Sequence, residues 1–261
     1  MSAGILAGIG RAGKALLLPV LLLAIWEYSA YTGSMPRYLI APSQIVKTTL
    51  TMIASGELLT DTLHSLRRAY GGFVIGASLG VALGLLAGVS RPVAGFFDPL
   101  ISLTYPVPKI AVLPILMSWL GLGDASKIAV IALGVFFPVF INAFYGTRSV
   151  SRLHVWSALN MGASQGQVFR KVVLPSAAPQ VLTGLRIGLA LSFIVMFAAE
   201  MVSARTGLGY LVMRAEDSLR FDLMYAAILA IGVLGFASDR ILLVLRRRLL
   251  ASRSAGHVDY V

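Results

Sequence analysis

Two patterns near the start of the chain come closest to a recognisable chemistry. In GIGRAGKA, Gly8, Gly10 and Gly13 stand in GxGxxG spacing, and Gly8 to Lys14 approaches a phosphate-binding loop. Such loops cradle phosphates with backbone N–H groups. Neither pattern is complete. A dinucleotide fingerprint follows a strand, and only seven residues precede Gly8. A phosphate loop needs Ser or Thr after its lysine to reach magnesium, and Ala15 stands there. Hydrolytic chemistry is no better supplied. Cysteine is absent, and His64, His154 and His257 lie far apart without ligand spacing such as HExxH. Ser78, Ser102 and Ser192 sit in apolar runs that hold no histidine to act as base. No catalytic residue, metal site or resident cofactor is assigned, and the chain is not expected to be an enzyme.

What remains is a set of ionisable residues in or beside apolar runs: Glu27, Asp98, Lys109, Arg186, Glu200, Asp239 and Arg240. Charge within a membrane is costly and faces the bundle interior. Lys109 and Glu200 are candidates to line a translocation path or to make a gate contact. The competing reading is a structural ion pair, or snorkelling to the interface. Asp239 and Arg240 read as stabilising packing within one span. Asn142 is a third path candidate, with an interhelical hydrogen bond as its alternative job.

The elements that would position these groups follow from composition. Of 261 residues, 57% are hydrophobic and 13% charged, with mean hydropathy +0.84. Soluble domains carry about a quarter charged residues, and an apolar run of roughly 20 residues crosses the hydrocarbon core as a helix. The fold class is therefore all-α integral membrane, one domain over 1–261, with six spans at about 16–31, 69–89, 97–120, 128–145, 181–202 and 223–245. A charged start before an apolar core is also the form of a signal peptide. Glu27 and Tyr28 follow here without a small-x-small cleavage site, so the segment reads as the first span.

The net charge of +11 does not point to nucleic acid, because basic residues mostly flank apolar spans. Arg11, Lys14, Arg91, Arg148, Arg152, Arg170, Lys171, Arg246, Arg247, Arg248 and Arg253 share one side, with Asp259 as its acid. The positive-inside rule then places both termini and the loop 148–175 in the cytoplasm. Trp26, Tyr28, Tyr31 and Trp119 near span ends fit the interfacial aromatic belt.

Two spans carry unusual spacing. Gly72, Gly76, Gly80, Gly84 and Gly88 recur every fourth residue, on one helix face. That face admits close approach of another helix, as either a rocking interface or static packing. Pro106, Pro108 and Pro114 interrupt the third span. Broken backbone at membrane depth lines a cavity or lies within protein, so this span is either a path-lining element or a kinked helix.

The loop 148–175 is the main polar interruption. His154 to Met161 is helix-compatible, Gly162 permits a turn, and Ser164 is a plausible N-cap for a second short helix through Val173. Val168, Phe169 and Val172 fall on one side of it and Arg170 and Lys171 on the other. Pro175 is expected to end that helix and re-aim the chain before Pro179. The product is an elbow at the cytoplasmic face, either a docking surface or an amphipathic helix lying on lipid.

This elbow resembles the EAA loop of the permease subunits of ATP-binding-cassette importers: Glu-Ala-Ala, three residues, Gly, nine residues, Ile-x-Leu-Pro. The pattern falls on Trp156, Ser157, Ala158, Gly162, Val172, Leu174 and Pro175. Gly162, Leu174 and Pro175 match in register. Val172 stands in for isoleucine, while Trp156 replaces the glutamate and Ser157 the first alanine. YLIAPSQIV, GLGDASKIAVIALGVFFPVFIN and AAEMVSARTGLGYLV extend the resemblance, specifically to the nitrate/sulfonate/taurine branch, which also handles bicarbonate and pyrimidine vitamin precursors.

The resemblance implies a six-helix type I importer permease with a cytoplasmic coupling helix in the bacterial inner membrane. It further implies a second permease chain, expected to be identical, two ATPase subunits that bind ATP and magnesium, and a periplasmic or lipid-anchored substrate-binding protein. The Trp156–Pro175 motif would contact the ATPase. The alternative is a stand-alone secondary transporter, which would show paired broken helices in an inverted repeat; only one span is clearly proline-broken.

Overall fold

The computed structural model describes residues 2–33, 36, 38–104 and 106–254, with side chains described between Leu17 and Arg248. Arg37, His257 and Asp259, and the side chains of Arg11, Lys14 and Arg253, lie outside the described residues. Every regular element among the described residues is helical: α1 (Ser2–Tyr31), α2 (Pro42–Ala54), α3 (Glu57–Val89), α4 (Arg91–Thr104), a 3-10 turn (Lys109–Val112), α5 (Leu113–Leu120), α6 (Asp124–Arg148), α7 (Arg152–Asn160), α8 (Gln165–Val168), a π turn (Phe169–Val173), α9 (Leu174–Ser203), α10 (Leu208–Asp217) and α11 (Phe221–Ser254). GIGRAGKA runs inside α1 rather than forming a glycine loop.

Among the described residues, four helical runs are long and apolar enough to cross a membrane: α3, α6, the continuous stretch Gln165–Ser203, and Phe221–Arg248 of α11. Leu17–Tyr31 is a shorter apolar helix. The expected span at 97–120 is not one straight helix. It divides into α4 and Lys109–Leu120, which meet at 92°. Pro106 and Pro108 remove two backbone donors where the helix would continue, so the chain leaves helical geometry between them.

The core is built on α6. Along α3, the glycine ladder meets side chains of α6 at a constant offset of 59 residues: Gly72 on Ile131, Gly76 on Val135, Gly80 on Val139, Gly84 on Ala143 and Gly88 on Thr147. The two helices therefore run parallel and in register. A β carbon on Gly80 would stand 2.9 Å from the carbonyl oxygen of Phe136, and one on Gly84 would stand 2.6 Å from that of Phe140. A β carbon on Gly76 would collide with the Ala132 carbonyl. The absent side chains are what bring the backbones together, and packing of this kind replaces the hydrophobic drive that lipid removes. Each rung is occupied by a side chain from α6, so sliding would have to disengage all five together. On its other side α6 packs antiparallel to α9, where Gly184 lies against Asn142, Gly188 against Val139, and Gly134 against Val195.

Two segments between spans are folded. α2 begins with Pro42 in its first turn, as a helix tolerates. Glu27 of α1 accepts the Ser43 backbone N–H at 3.0 Å and its hydroxyl at 2.6 Å, so a carboxylate meets the positive end of that helix. α10 packs with α2, the start of α3 and α11 through Met52, Leu58, Leu208, Leu211, Val212, Ala226 and Ala227.

Candidate functional site

The elbow is built from local rules. α7 buries none of its residues. Leu153 and Trp156 stand on its surface and Met161 at its C-terminal cap, Trp156 at 59% and Met161 at 80% exposure. Its C-terminal end closes as a Schellman turn: Gly162 N–H donates to the Leu159 carbonyl at 2.9 Å and Ala163 N–H to that of Ala158 at 3.0 Å. Gly162 holds φ +83, the left-handed conformation the turn requires. Nothing lies within 4 Å of where its β carbon would be, so backbone conformation rather than space demands glycine. The four-residue interval from Ala158 to Gly162 is thus the interval of the turn itself.

Ser164 then caps α8 through a reciprocal pair. Its hydroxyl accepts Gln167 N–H at 3.4 Å, and its own N–H donates to Gln167 Oε1 at 2.8 Å. Val168 and Val173 are buried, and Phe169 packs with Leu85, Ala143 and Ala177 of the inner core. Arg170 and Lys171 face outward.

Pro175 does not end this helix, contrary to the sequence expectation. The Leu174 N–H reaches back five residues to the Phe169 carbonyl, a π turn that widens the helix just before the proline. Pro175 then occupies the first turn of α9, where a missing N–H costs nothing. Val172, Leu174 and Pro175 therefore form a joint that carries the chain without a break from α8 to Ser203. Behind the elbow, a cavity of about 890 Å³ is lined by Arg91, Arg148 and Arg152 together with Val168 and Phe169.

At the opposite end of α9, Glu200 is 1% exposed. It accepts Arg68 Nη1 at 2.7 Å, the Ser65 hydroxyl at 2.8 and 3.0 Å, and the Gly209 N–H at 2.9 Å. Arg68 also donates to Asp124 at 2.7 Å and to the Thr206 carbonyl and hydroxyl at 2.6 and 2.9 Å. Asp61 accepts the Gly207 N–H at 2.7 Å. The network ties α3, α6 and the α9–α10 turn together, with no solvent-facing edge at Glu200. Ser65, Arg68, Asp61 and Thr206 were not singled out in the sequence.

Lys109 lies at the bend. Its ammonium donates to the carbonyls of Thr104 at 2.6 Å and Val107 at 2.8 Å and stands 4.2 Å from the Phe137 ring centroid. It lines a largely apolar cavity of about 450 Å³ with Pro108, Gly134, Phe137, Pro138, Leu191 and Ile194. Glu200 is not part of that wall. Asn142 donates to the Pro138 carbonyl at 2.8 Å and accepts Gln180 Nε2 at 3.1 Å, joining α6 to α9. Asp239 does not serve packing within its own helix. It pairs with Arg186 of α9, while Arg240 lies over the Phe236 ring.

Comparison with known proteins agrees with this architecture. Residues 80–251 match the family described as binding-protein-dependent transport system inner membrane component. The chain is 36% identical over 243 residues to the putative aliphatic sulfonates transport permease protein SsuC of Bacillus subtilis (strain 168), covering 93% of this chain and 88% of that protein. It is 36% identical over 237 residues to the taurine transport system permease protein TauC of Escherichia coli (strain K12), covering 89% and 86%. Among solved structures, the MetNI methionine ABC transporter in inward-facing conformations matches with TM-score 0.62 at 19% identity, over 73% of this chain and 97% of that chain; this likeness speaks to the fold alone. With its helical core, broken third span and projecting elbow, the chain belongs to the binding-protein-dependent inner membrane permeases, as a type I ATP-binding-cassette importer subunit of the nitrate/sulfonate/taurine-like branch.

Proposed function

We propose that this chain forms half of the translocation path of an ATP-driven importer for small sulfonate-class organic anions, and that the loop 148–175 couples it to a separate ATPase. The observation that carries the coupling is the exposed apolar face of α7, joined through a conformationally fixed glycine to a helix that continues across the membrane. A helix that buries nothing of its own and presents Trp156 and Met161 is suited to a groove on another protein. The sulfonate and taurine permeases among its relatives favour sulfonates as the solute class.

In this reading a second copy of the chain completes the path. Two ATPase subunits bind ATP and magnesium, and a substrate-binding protein delivers solute to the outer mouth. The chain lies in a bacterial inner membrane with both termini cytoplasmic, as the Lys and Arg distribution favours. Closure of the ATPase pair would move both elbows and exchange the inward-open for the outward-open state. The broken span, its Lys109 cavity and Asn142 provide the polar and irregular backbone that a path needs at depth.

The test is purification of the detergent-solubilised protein with its neighbours. A stoichiometric subunit carrying a phosphate-binding loop, lost when Gly162 or Leu174 is replaced, is expected. A homogeneous chain under conditions that preserve known complexes would refute the coupling role.

A further inference from the structure

The surface of α9 that faces neither α6 nor α3 carries an ion pair where lipid would be expected. Arg186 Nε and Nη2 donate to the two oxygens of Asp239 of α11 at 2.6 and 3.1 Å, yet the two side chains keep 45% and 27% of their surface exposed. Arg186 stands about 16 Å along the helix from Pro175 and about 26 Å from its outer end. Much of the other exposed surface near this depth is apolar, with Leu79 and Leu86 on α3 and Phe236 and Ile241 on α11, while Arg240 is exposed beside Asp239. A charged pair left open at this depth faces water or protein rather than lipid.

Beside the pair is a cavity of about 270 Å³, walled by Leu189, Ala190, Phe193, Ile194 and Gly235. Ile194 also lines the Lys109 cavity, so the two spaces adjoin across a single side chain. Toward the cytoplasmic end Thr183 follows one turn before Arg186 on the same side of α9. Arg186 uses two of its five N–H groups on Asp239, and a guanidinium presents the rest as a planar fork matched to an anionic oxygen pair. Asp239 fixes the plane of that fork.

We infer that Arg186 is the anion-contacting residue of a solute subsite in this cavity, admitting small organic molecules with a sulfonate headgroup, and that Asp239 is its positioning residue. The apolar walls suit a short carbon chain. The carboxylate beside the guanidinium also provides a partner for a substrate ammonium, so a zwitterionic aminosulfonate and a simple alkanesulfonate both fit the subsite. This assignment rests on the sulfonate-importer reading above.

The test uses the complete importer with its binding protein in proteoliposomes, with taurine and ethanesulfonate as probes. Arg186→Gln is expected to lower uptake of both at least tenfold while leaving complex recovery unchanged. Asp239→Asn is expected to keep ethanesulfonate uptake within about threefold of wild type. The charge exchange Arg186→Asp with Asp239→Arg restores an ion pair but moves the fork, and uptake is expected to stay lost.

Because the chain has no cysteine, Ala190→Cys gives an independent reading that needs no change at the pair. The anionic reagent methanethiosulfonate ethylsulfonate should modify it, and taurine should slow that modification. Wild-type uptake in Arg186→Gln, restoration of uptake by the charge exchange, or an Ala190→Cys thiol inert to the reagent would each overturn the subsite. Failure of the wild-type importer to take up either probe would instead overturn the sulfonate reading, and the subsite with it.

Discussion

Gly162 offers the sharpest test of the elbow, because its requirement is conformational and nothing else. The residue holds φ +83, with no atom within 4 Å of the place a β carbon would take. The left-handed conformation costs an ordinary L-residue roughly 1–2 kcal/mol, with β-branched side chains at the upper end. Alanine should therefore cost about 1 kcal/mol and valine about 2, which shift a local equilibrium by factors of roughly 5 and 30. α7 has no buried residue to hold it in place once the turn is lost, so the shift falls on its orientation. Asparagine tolerates this conformation and serves as the control. The assay is solute taken up per ATP hydrolysed in the reconstituted importer. The expected order is glycine and asparagine alike within about twofold, alanine lower, and valine with most of its ATPase activity uncoupled. Wild-type coupling in Gly162→Val would refute the argument. So would equal damage in Gly162→Asn and Gly162→Val, since that would make the missing side chain, not the turn, the point of the glycine.

Three further outcomes follow from the geometry. Arg68→Ala leaves the Glu200 carboxylate buried beside an empty place, and breaking such a pair costs about 3–5 kcal/mol. A lower midpoint in detergent thermal unfolding is expected, and an unchanged midpoint would contradict the network. Gly84→Ala puts a β carbon 2.6 Å from the Phe140 carbonyl, an overpacking cost of about 1–3 kcal/mol. Gly95→Ala meets nothing within 4 Å and is expected to be neutral in the same measurement. Trp156→Ala removes an exposed side chain and should leave thermal stability unchanged. As an aromatic anchor it should weaken ATPase binding by about 2 kcal/mol or more, read as subunit loss during purification; full retention would exclude Trp156 as an anchor.

Local rules made part of this molecule legible from its sequence. The Gly162 turn and the Ser164 cap depend on residues within a few positions of each other, and both stand where the sequence placed them. Glycine spacing on α3 named a packing face but not its partner, because periodicity specifies which residues align and not what they meet. Prolines announced an interruption in the third span without giving its 92° bend. Pro175 was misread because the rule that proline ends a helix assumes an ordinary helical turn before it, and here a π turn comes first. Glu200 lies 132 residues from Arg68 and Arg186 lies 53 from Asp239. No local pattern relates such partners; only the helix packing does.

The unbroken run from Gln165 to Ser203 has a mechanical consequence. Close contacts with α6 include those at Gly184 and Gly188, near the middle of its 39 residues. A stiff bar held there has a fulcrum, with an inner arm of about 29 Å and an outer arm of about 23 Å. A tilt that carries the inner tip about 3 Å one way carries the outer tip about 2.4 Å the other way, toward or away from the residues that clasp Glu200. As far as the helix moves as one piece, its two ends cannot open at once, and exclusion of a continuous leak becomes a property of leverage rather than of a separate gate.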